Sequence, residues 1–237
     1  MTLELSGVDA YYGAVHVLRD VSLRLAAGEV VCLLGRNGAG KTAALRSIMG
    51  LLRPRSGRIT LDQVDLTRVA PHEIPRYGIA YVPQARRLFP FLTVEENLRM
   101  GLLVRGADAA VLQSVLELFP VLRERLRQRA GTLSGGEQQT LATARALCAK
   151  PRFLLMDEPT EGLMPTLVAR LVATVATLRE RGVGVLLVEQ RVEAALSVAD
   201  RVALIESGRI EHETTPAELA AHPDLLLRYV GVRRSGC

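Results

Sequence analysis

The sequence predicts an α/β fold in which a mainly parallel sheet carries a phosphate-binding loop. Three observations support this prediction: a G-x-x-x-x-G-K-[ST] pattern at 35–42, an apolar run that ends in Asp157 and Glu158, and strand-like segments that alternate with helix-like ones. The pattern follows an apolar run at 29–34 and precedes a helix-forming segment at 43–48. Strand, glycine turn and helix is the context that this motif requires. Alternating strands and helices favour a sheet that is covered on both faces.

The elements before residue 90 follow from local patterns. Residues 2–10 and 17–25 alternate apolar and polar side chains around Tyr11-Tyr12-Gly13, which predicts an antiparallel pair of strands. After the phosphate loop we expect a helix to about Met49, a short strand at 58–61, a short helix beginning at Pro71, and a strand from Gly78 to Val82.

The sequence pattern in the middle of the chain predicts helices. Thr93, with Glu96 three residues later, is typical of a capping box that opens a helix. The helical pattern then continues to Arg129, with breaks near Gly106 and Pro120. Because this stretch contains no strand pattern, it predicts a helical subdomain inserted into the α/β body.

The remaining elements return to alternation. We expect a helix at 137–149, a strand at 152–157, a helix at 165–181, a strand at 183–188, a short helix at 193–198, and a hairpin of 201–205 with 209–212. The whole is interpreted as one domain over 2–233 with its helical subdomain at approximately 86–145, followed by a tail at 234–237.

Composition excludes several classes of protein. Of 237 residues, 49% are hydrophobic, which is enough for a packed core and argues against disorder. Aromatic residues make up 4% without any Trp, and the Arg residues are scattered, so we expect no nucleic-acid partner. Cys32, Cys148 and Cys237 lack metal-ligand spacing and are expected to be reduced thiols. No apolar run approaches the roughly 20 residues that span a bilayer.

The phosphate-loop residues have distinct expected roles. Glycines let backbone N–H groups curl around phosphate oxygens, and the following helix start adds positive potential. Lys41, one of two lysines in the chain, would neutralise the β- and γ-phosphates of ATP, and the Thr42 hydroxyl would hold Mg²⁺. The residues expected to bind ATP through this loop are Gly35, Arg36, Asn37, Gly38, Ala39, Gly40, Lys41 and Thr42.

The two acids that end the strand at 152–157 complete this site. Carboxyl ends of parallel strands are where ligands bind in open α/β sheets. Asp157 is expected to coordinate Mg²⁺, and Glu158 to orient and polarise the attacking water. Taken alone, this segment would be interpreted as a strand followed by a solvated acidic turn; the phosphate loop favours the catalytic interpretation.

A second glycine-rich helix start follows Leu133. Ser134, Gly135, Gly136 and Glu137 form another potential anion cradle, and one site does not need two cradles for one γ-phosphate. The simplest interpretation is that this turn serves a nucleotide held by a second subunit. In isolation, an ordinary Ser N-cap with flexible glycines explains the same residues.

Taken together, these motifs resemble the ATP-binding subunits of ABC transporters, over essentially the whole chain. The resemblance implies a P-loop NTPase of the ABC ATPase type, with an N-terminal antiparallel β subdomain and an inserted helical subdomain. It also implies that Tyr12 stacks on adenine, that Gln84 lies near Mg²⁺ and water, and that Glu158 is the general base. The turn at 134–137 would contact ATP in trans.

Two positions differ from the general family pattern. The chain has Gln190 where most members carry a switch-loop His, and Met164 where most carry an Asp that closes the D-loop. Gln190 can still donate a hydrogen bond to a γ-phosphate oxygen or water, so it is included with Glu158 and Gln84 among the catalytic residues, but it cannot become cationic.

These differences also indicate a subfamily. Segments 92–97, 134–139, 161–165 and 187–190 together resemble the shorter of the two ATPase subunits of branched-chain amino acid importers, with urea and short-amide importers as close relatives. The resemblance implies permease subunits, a second ATPase subunit (identical or, preferably, related), an indirectly linked periplasmic binding protein, and a peripheral position on the cytoplasmic face of the inner membrane. Alternatives are a soluble non-transport ABC ATPase, a small-molecule kinase and an exporter ATPase of the lipopolysaccharide type.

Overall fold

A computed structural model describes residues 1–231, and these residues form the α/β fold that the sequence predicts. The strands are β1 (Thr2–Tyr12), β2 (Val15–Ala26), β3 (Val30–Leu34), β4 (Ser56–Leu61), β5 (Val64–Asp65), β6 (Ile79–Val82), β7 (Phe153–Asp157), β8 (Gly184–Glu189), β9 (Arg201–Glu206) and β10 (Arg209–Thr214). The helices are α1 (Lys41–Ile48), α2 (Val94–Leu103), α3 (Ala109–Leu118), α4 (Pro120–Arg123), α5 (Gly135–Leu147), α6 (Pro165–Glu180), α7 (Val192–Leu196), α8 (Pro216–Ala221) and α9 (Pro223–Tyr229). The tail at 234–237, with Cys237, lies outside the described residues.

The central sheet has six strands in the order β10-β9-β3-β8-β7-β6. Its neighbouring strands are parallel except β10, which runs antiparallel to β9. This confirms the mainly parallel core. Because β3, β6, β7 and β8 run in one direction, the residues that follow them meet at one edge of the sheet, which is where a ligand site is expected.

The N-terminal strands form a separate antiparallel sheet in the order β2-β1-β4-β5, as predicted for the first pair. Side chains of β3 alternate between two cores. Val31 and Leu33 pack in a cluster with the antiparallel sheet and α1, whereas Val30 and Cys32 pack in a cluster with helices. The central sheet is therefore covered on both faces, by a second sheet on one side and by helices on the other.

The stretch from α2 to α5 is helical, with breaks near Gly106 and Pro120 as predicted. The capping box is confirmed: Thr93 Oγ1 accepts from the Glu96 N–H (3.2 Å), and the Glu96 carboxylate accepts from the Thr93 N–H (2.7 Å). A Cβ on Gly101 of α2 would lie 2.2 Å from the carbonyl oxygen of Arg145 in α5. The two helices therefore touch backbone to backbone at this point.

Two expectations about local structure were wrong. No α-helix begins at Pro71; the segment instead forms a 3₁₀ turn at Ile74–Tyr77, because Pro75 lacks an N–H and Gly78 ends the turn with a φ of +85°. The terminal helices α8 and α9 were not anticipated, although Thr215 and Glu218 form a complete capping box before α8. Within residues 1–231, every helix is too short or too polar to cross a lipid bilayer.

Candidate functional site

The candidate site lies at the carboxyl edge of the central sheet. There, the loop after β3 meets the acidic end of β7 beside a cleft of about 1220 Å³ that extends under α2 and α5. Five predicted site residues line the cleft: Tyr12, Thr42, Gln84, Asp157 and Glu158. Arg46 and Tyr81, which were not predicted, line it as well.

The phosphate loop needs its glycines for two physical reasons. Gly38 and Gly40 have φ values of +80° and +114°, a conformation that side chains with a Cβ rarely adopt. A Cβ on Gly35 would lie 2.3 Å from the backbone carbonyl oxygen of Ile205, where no atom fits. The loop is therefore held against β9 in a shape that only glycine allows, with its N–H groups near the start of α1.

Lys41 lies inside this loop and is 4% exposed. Its ammonium donates to the carbonyl oxygens of Gly35 (2.8 Å) and Arg36 (3.2 Å), and its Nζ lies 3.6 Å from Oε1 of Glu158. Carbonyl oxygens are weak partners for a buried ammonium compared with phosphate oxygens. The lysine is thus ready to exchange them for the β- and γ-phosphates of a nucleotide.

The oxygen atoms predicted to hold Mg²⁺ lie together at this edge. The Thr42 hydroxyl donates to Oδ1 of Asp157 (3.0 Å), and the Tyr81 hydroxyl donates to Oδ2 of the same carboxylate (3.0 Å). Burial raises the pKa of the Asp157 carboxyl, an effect that the nearby Glu158 reinforces. Asp157 forms no ion pair in the part of the chain that the structure describes, although Arg46 lies close enough to act on its charge. Hard oxygen donors around such a buried carboxylate fit a divalent cation. Tyr81 was missed because a single aromatic residue in a strand carries no motif.

Glu158 follows β7 in a left-handed conformation, with a φ of +49°. Its N–H donates to the carbonyl oxygen of Val188 in β8 (2.9 Å), which helps to fix this turn. The Gln84 amide donates to Oε2 of Glu158 (3.2 Å) and to Oε2 of Glu161 (3.0 Å). The structure therefore places two of the predicted catalytic residues in direct contact.

Gln84 is followed by three consecutive non-glycine residues with positive φ: Ala85 (+63°), Arg86 (+63°) and Arg87 (+44°). Such residues are costly and persist only when their surroundings hold them. Arg145 of α5 supplies that support, since its guanidinium donates to the carbonyl oxygens of Arg86 (3.4 Å) and Arg87 (2.9 Å). This links the Gln84 loop to the helix that begins at the second glycine turn.

Tyr12 lies at the end of β1 and is 42% exposed at the edge of the same cleft. Its hydroxyl accepts a hydrogen bond from Arg46 of α1 (3.1 Å), a residue for which the sequence offered no signal. The ring is thus fixed beside the helix that follows the phosphate loop, with a face free for contact. This placement is compatible with the predicted stacking on adenine.

The second glycine turn caps α5. Ser134 is the N-cap, and its backbone N–H and hydroxyl both donate to the Glu137 carboxylate (2.9 and 2.8 Å). A Cβ on Gly136 would lie 2.1 Å from Leu167 of α6, so this glycine permits close packing, whereas Gly135 borders only the end of a flexible arginine. No hydrogen bond recorded within residues 1–231 joins this turn to the phosphate loop of the same chain.

Gln190 is exposed, and only its backbone makes a recorded polar contact, from its N–H to Oε2 of Glu189 (3.3 Å). The structure therefore does not bring its side chain to the other candidate catalytic residues. Glu189 instead is 1% exposed and accepts from the backbone N–H of Thr160 (2.9 Å) and from its hydroxyl (2.8 Å). This buried contact is not visible in the sequence, where Thr160 and Glu189 lie far apart.

Comparisons with known proteins point to one family. A model of the ABC transporter family matches residues 18–161. The chain is 45% identical to the high-affinity branched-chain amino acid transport ATP-binding protein BraG of Pseudomonas aeruginosa, over 97% of this chain and 99% of that protein. It is 37% identical to the lipopolysaccharide export system ATP-binding protein LptB of Acidithiobacillus ferridurans, over 91% of this chain and 90% of that protein. A dimeric post-hydrolysis structure of an ATP-binding cassette bound to ADP and Pi superposes with a TM-score of 0.82 at 26% identity, covering 90% of this chain and 98% of that one.

Proposed function

The chain belongs to the ABC transporter family of ATP-binding subunits, and we propose that it powers the uptake of branched-chain amino acids through partner permeases. Members of this family hydrolyse ATP, so the enzyme class follows from the family. The observation that carries the solute class is the high identity to BraG, which extends over nearly the full length of both chains. The identity to LptB of Acidithiobacillus ferridurans is lower, at 37%.

Each residue of the candidate site has a proposed role in binding or hydrolysing ATP. The phosphate loop and Lys41 bind the phosphates of ATP. Thr42, Asp157 and the Gln84 side chain would hold Mg²⁺, which would neutralise charge on the phosphates. Glu158 accepts a proton from the water that attacks the γ-phosphorus, and ADP and inorganic phosphate are released. The contact between Gln84 and Glu158 supports a shared role in placing that water.

A second subunit completes the proposed site. The turn formed by Ser134, Gly135, Gly136 and Glu137 starts a helix whose free N–H groups suit an anion. Within residues 1–231, no hydrogen bond joins this turn to the phosphate loop of the same chain. We place the ATP of a second ATPase subunit, preferably a related chain, against this turn. Hydrolysis then separates the two subunits, and the permease helices follow that motion.

The permease contact is proposed for the helical side of the cleft. Phe91, shortly before α2, is 85% exposed, and Leu103, at the end of α2, is 74% exposed. Met100 of α2 is also exposed and lines the cleft. Large exposed apolar side chains next to a concave surface are typical of protein contacts. With permeases docked here, the subunit would lie on the cytoplasmic face of the inner membrane, linked only indirectly to a periplasmic solute-binding protein and to no nucleic acid.

Transport in cells tests the solute class. In the source organism with this gene deleted, uptake of radiolabelled leucine should fall to background, and the wild-type gene should restore it while Lys41→Ala should not. Uptake of urea should be unaffected in the same cells. Normal leucine uptake in the deletion strain would refute the proposal, and loss of urea uptake would reassign the chain to the urea type of importer.

The relatedness to LptB supports a second candidate, an ATPase that drives lipopolysaccharide export. The same deletion strain distinguishes it, since an export defect would leave lipopolysaccharide in the inner membrane while leucine uptake continued. Fractionated membranes analysed for lipopolysaccharide provide this measurement.

A further inference from the structure

A buried carboxylate outside the proposed chemistry connects two functional segments. Glu189 ends β8, is 1% exposed, and has no cationic partner among the recorded ion pairs of the described residues. Four donors face it instead: the backbone N–H and hydroxyl of Thr160, at 2.9 and 2.8 Å, the backbone N–H of Gln190, at 3.3 Å, and the backbone N–H of Arg191. Burying a carboxylate is unfavourable unless hydrogen bonds satisfy it, so this residue requires an explanation.

Thr160 lies two residues after Glu158, within a turn whose backbone is strained at Glu158. Glu158 has a φ of +49°, and a non-glycine residue keeps such a conformation only when its surroundings hold it. Two groups of contacts fix the turn on the side of β8. One is the hydrogen bond from the Glu158 N–H to the Val188 carbonyl, and the other is the pair of bonds from Thr160 to Glu189.

The same carboxylate also anchors the segment after β8. Its bond from the Gln190 N–H fixes the start of that segment, and the Arg191 guanidinium donates to the Leu163 carbonyl oxygen (3.4 Å) from the other direction. Glu189 thus ties the turn after β7 to the loop after β8, because it immediately precedes Gln190 and its partner Thr160 lies two residues after Glu158.

We propose that Glu189 is a positioning residue for ATP hydrolysis, which, through Thr160, fixes the turn that presents the Glu158 carboxylate to the attacking water. The inference rests on the proposed role of Glu158 as general base. Glu189 lies behind this turn and contacts it through Thr160, so we expect it to act only through the geometry of the base.

A carboxylate suits this position better than an amide of the same size. All four of these groups donate, and an ionised Glu side chain only accepts. In Glu189→Gln, the new NH₂ group would face a donor, and the turn would lose at least one charge-assisted bond although the volume is conserved. Glu189→Gln should therefore relax the Glu158 turn with little damage to the core.

The test compares hydrolysis and ATP binding in the full-length chain. Glu189→Gln should lower kcat about 10- to 100-fold, the range expected for loss of a hydrogen bond to a charged group, while ATP Kd stays within about threefold. Thr160→Ser retains both donors and should behave like wild type, whereas Thr160→Val should lower kcat by about tenfold. Thr160→Val also keeps the test valid if Glu189→Gln folds poorly.

Glu29→Gln is the matched control. Glu29 is a largely buried carboxylate that accepts from the Ala26 N–H (2.7 Å) and from Arg201 (2.8 Å), remote from the hydrolysis residues. The Glu29→Gln substitution should lower the Tm and leave the kcat per folded enzyme unchanged. An equal loss of kcat in Glu29→Gln and Glu189→Gln would show general structural damage and would overturn the proposal.

A double-mutant cycle separates positioning from independent damage. If Glu189 acts through Glu158, adding Glu189→Gln to Glu158→Gln should lower the residual turnover no further. A multiplied loss, or wild-type kcat in Glu189→Gln, overturns this inference and leaves the base assignment intact. Wild-type turnover in Glu158→Gln alone would instead refute the base assignment itself, so the two failures are recognised by different variants.

Discussion

Replacing the proposed general base, Glu158, by its amide should separate ATP binding from ATP hydrolysis. Glu158→Gln keeps the size of the side chain and an oxygen that accepts the hydrogen bond from Gln84, so the turn after β7 should retain its shape. It removes the group that accepts the proton from water. It also removes a negative charge 3.6 Å from the ammonium of Lys41.

Both effects have magnitudes that follow from the site. General base catalysis contributes about 10²- to 10⁴-fold, or roughly 3–5 kcal/mol, so kcat should fall by that factor. Lys41 and Glu158 are 4% and 8% exposed, and at an effective dielectric constant of about 20 their charges attract by about 4 kcal/mol. Desolvation offsets much of this attraction. Freed from its partner, Lys41 should bind ATP about tenfold more tightly, which corresponds to about 1.4 kcal/mol.

Single-turnover hydrolysis of γ-labelled ATP and titration with a fluorescent nucleotide measure the two quantities. Glu161→Gln is the matched control, since it removes the same charge from a second partner of the Gln84 amide and should change turnover by no more than about threefold. Turnover of Glu158→Gln near that of the wild type would exclude the base role. Weaker ATP binding would refute the competition between Glu158 and phosphate for the lysine.

Three further results are expected. Lys41→Ala should weaken ATP binding at least ~100-fold in calorimetry, because no other ammonium lies in the loop; unchanged affinity would exclude the loop as the site. Gly35→Ala should lower Tm by roughly 4 °C or more, since its Cβ would lie 2.3 Å from the Ile205 carbonyl oxygen, and an unchanged melting curve would contradict this packing. In a Glu158→Gln background, Ser134→Trp should abolish ATP-driven dimers in size-exclusion chromatography while monomers still bind ATP; surviving dimers would refute the contact in trans.

The fold was largely predictable because its signals are local. Alternation of side chains identified the antiparallel pair, the apolar runs identified the buried strands, and the box at Thr93 and Glu96 located the start of α2. Where the prediction failed, the reason is equally local. Pro75 replaced a helix by a 3₁₀ turn, and the box at Thr215 follows the last predicted element, the hairpin strand at 209–212.

The candidate site was predictable as motifs but not as contacts. Lys41, Thr42, Asp157 and Glu158 lie together because parallel strands deliver them to one edge, and strand order follows rules that a sequence reveals. The contacts of Tyr81, Arg46 and Glu189 depend on which side chains of distant strands face each other. Sequence spacing carries no information about such pairs, and for that reason the role of Glu189 emerges only from the three-dimensional structure.

The bare contact between Gly101 and the Arg145 carbonyl has a mechanical consequence. Because no side chain separates the backbones of α2 and α5 at this point, a displacement of α2 would be passed directly to α5. The helix α5 would then move as a rigid body. The part of α5 between residues 135 and 145 is about 15 Å long, and the glycine turn at 134–137 lies at its N-terminal end. Arg145 also donates to the carbonyl oxygens of Arg86 and Arg87, directly after Gln84. A single movement of α5 would therefore displace both segments proposed to contact nucleotide, the Gln84 loop and the glycine turn.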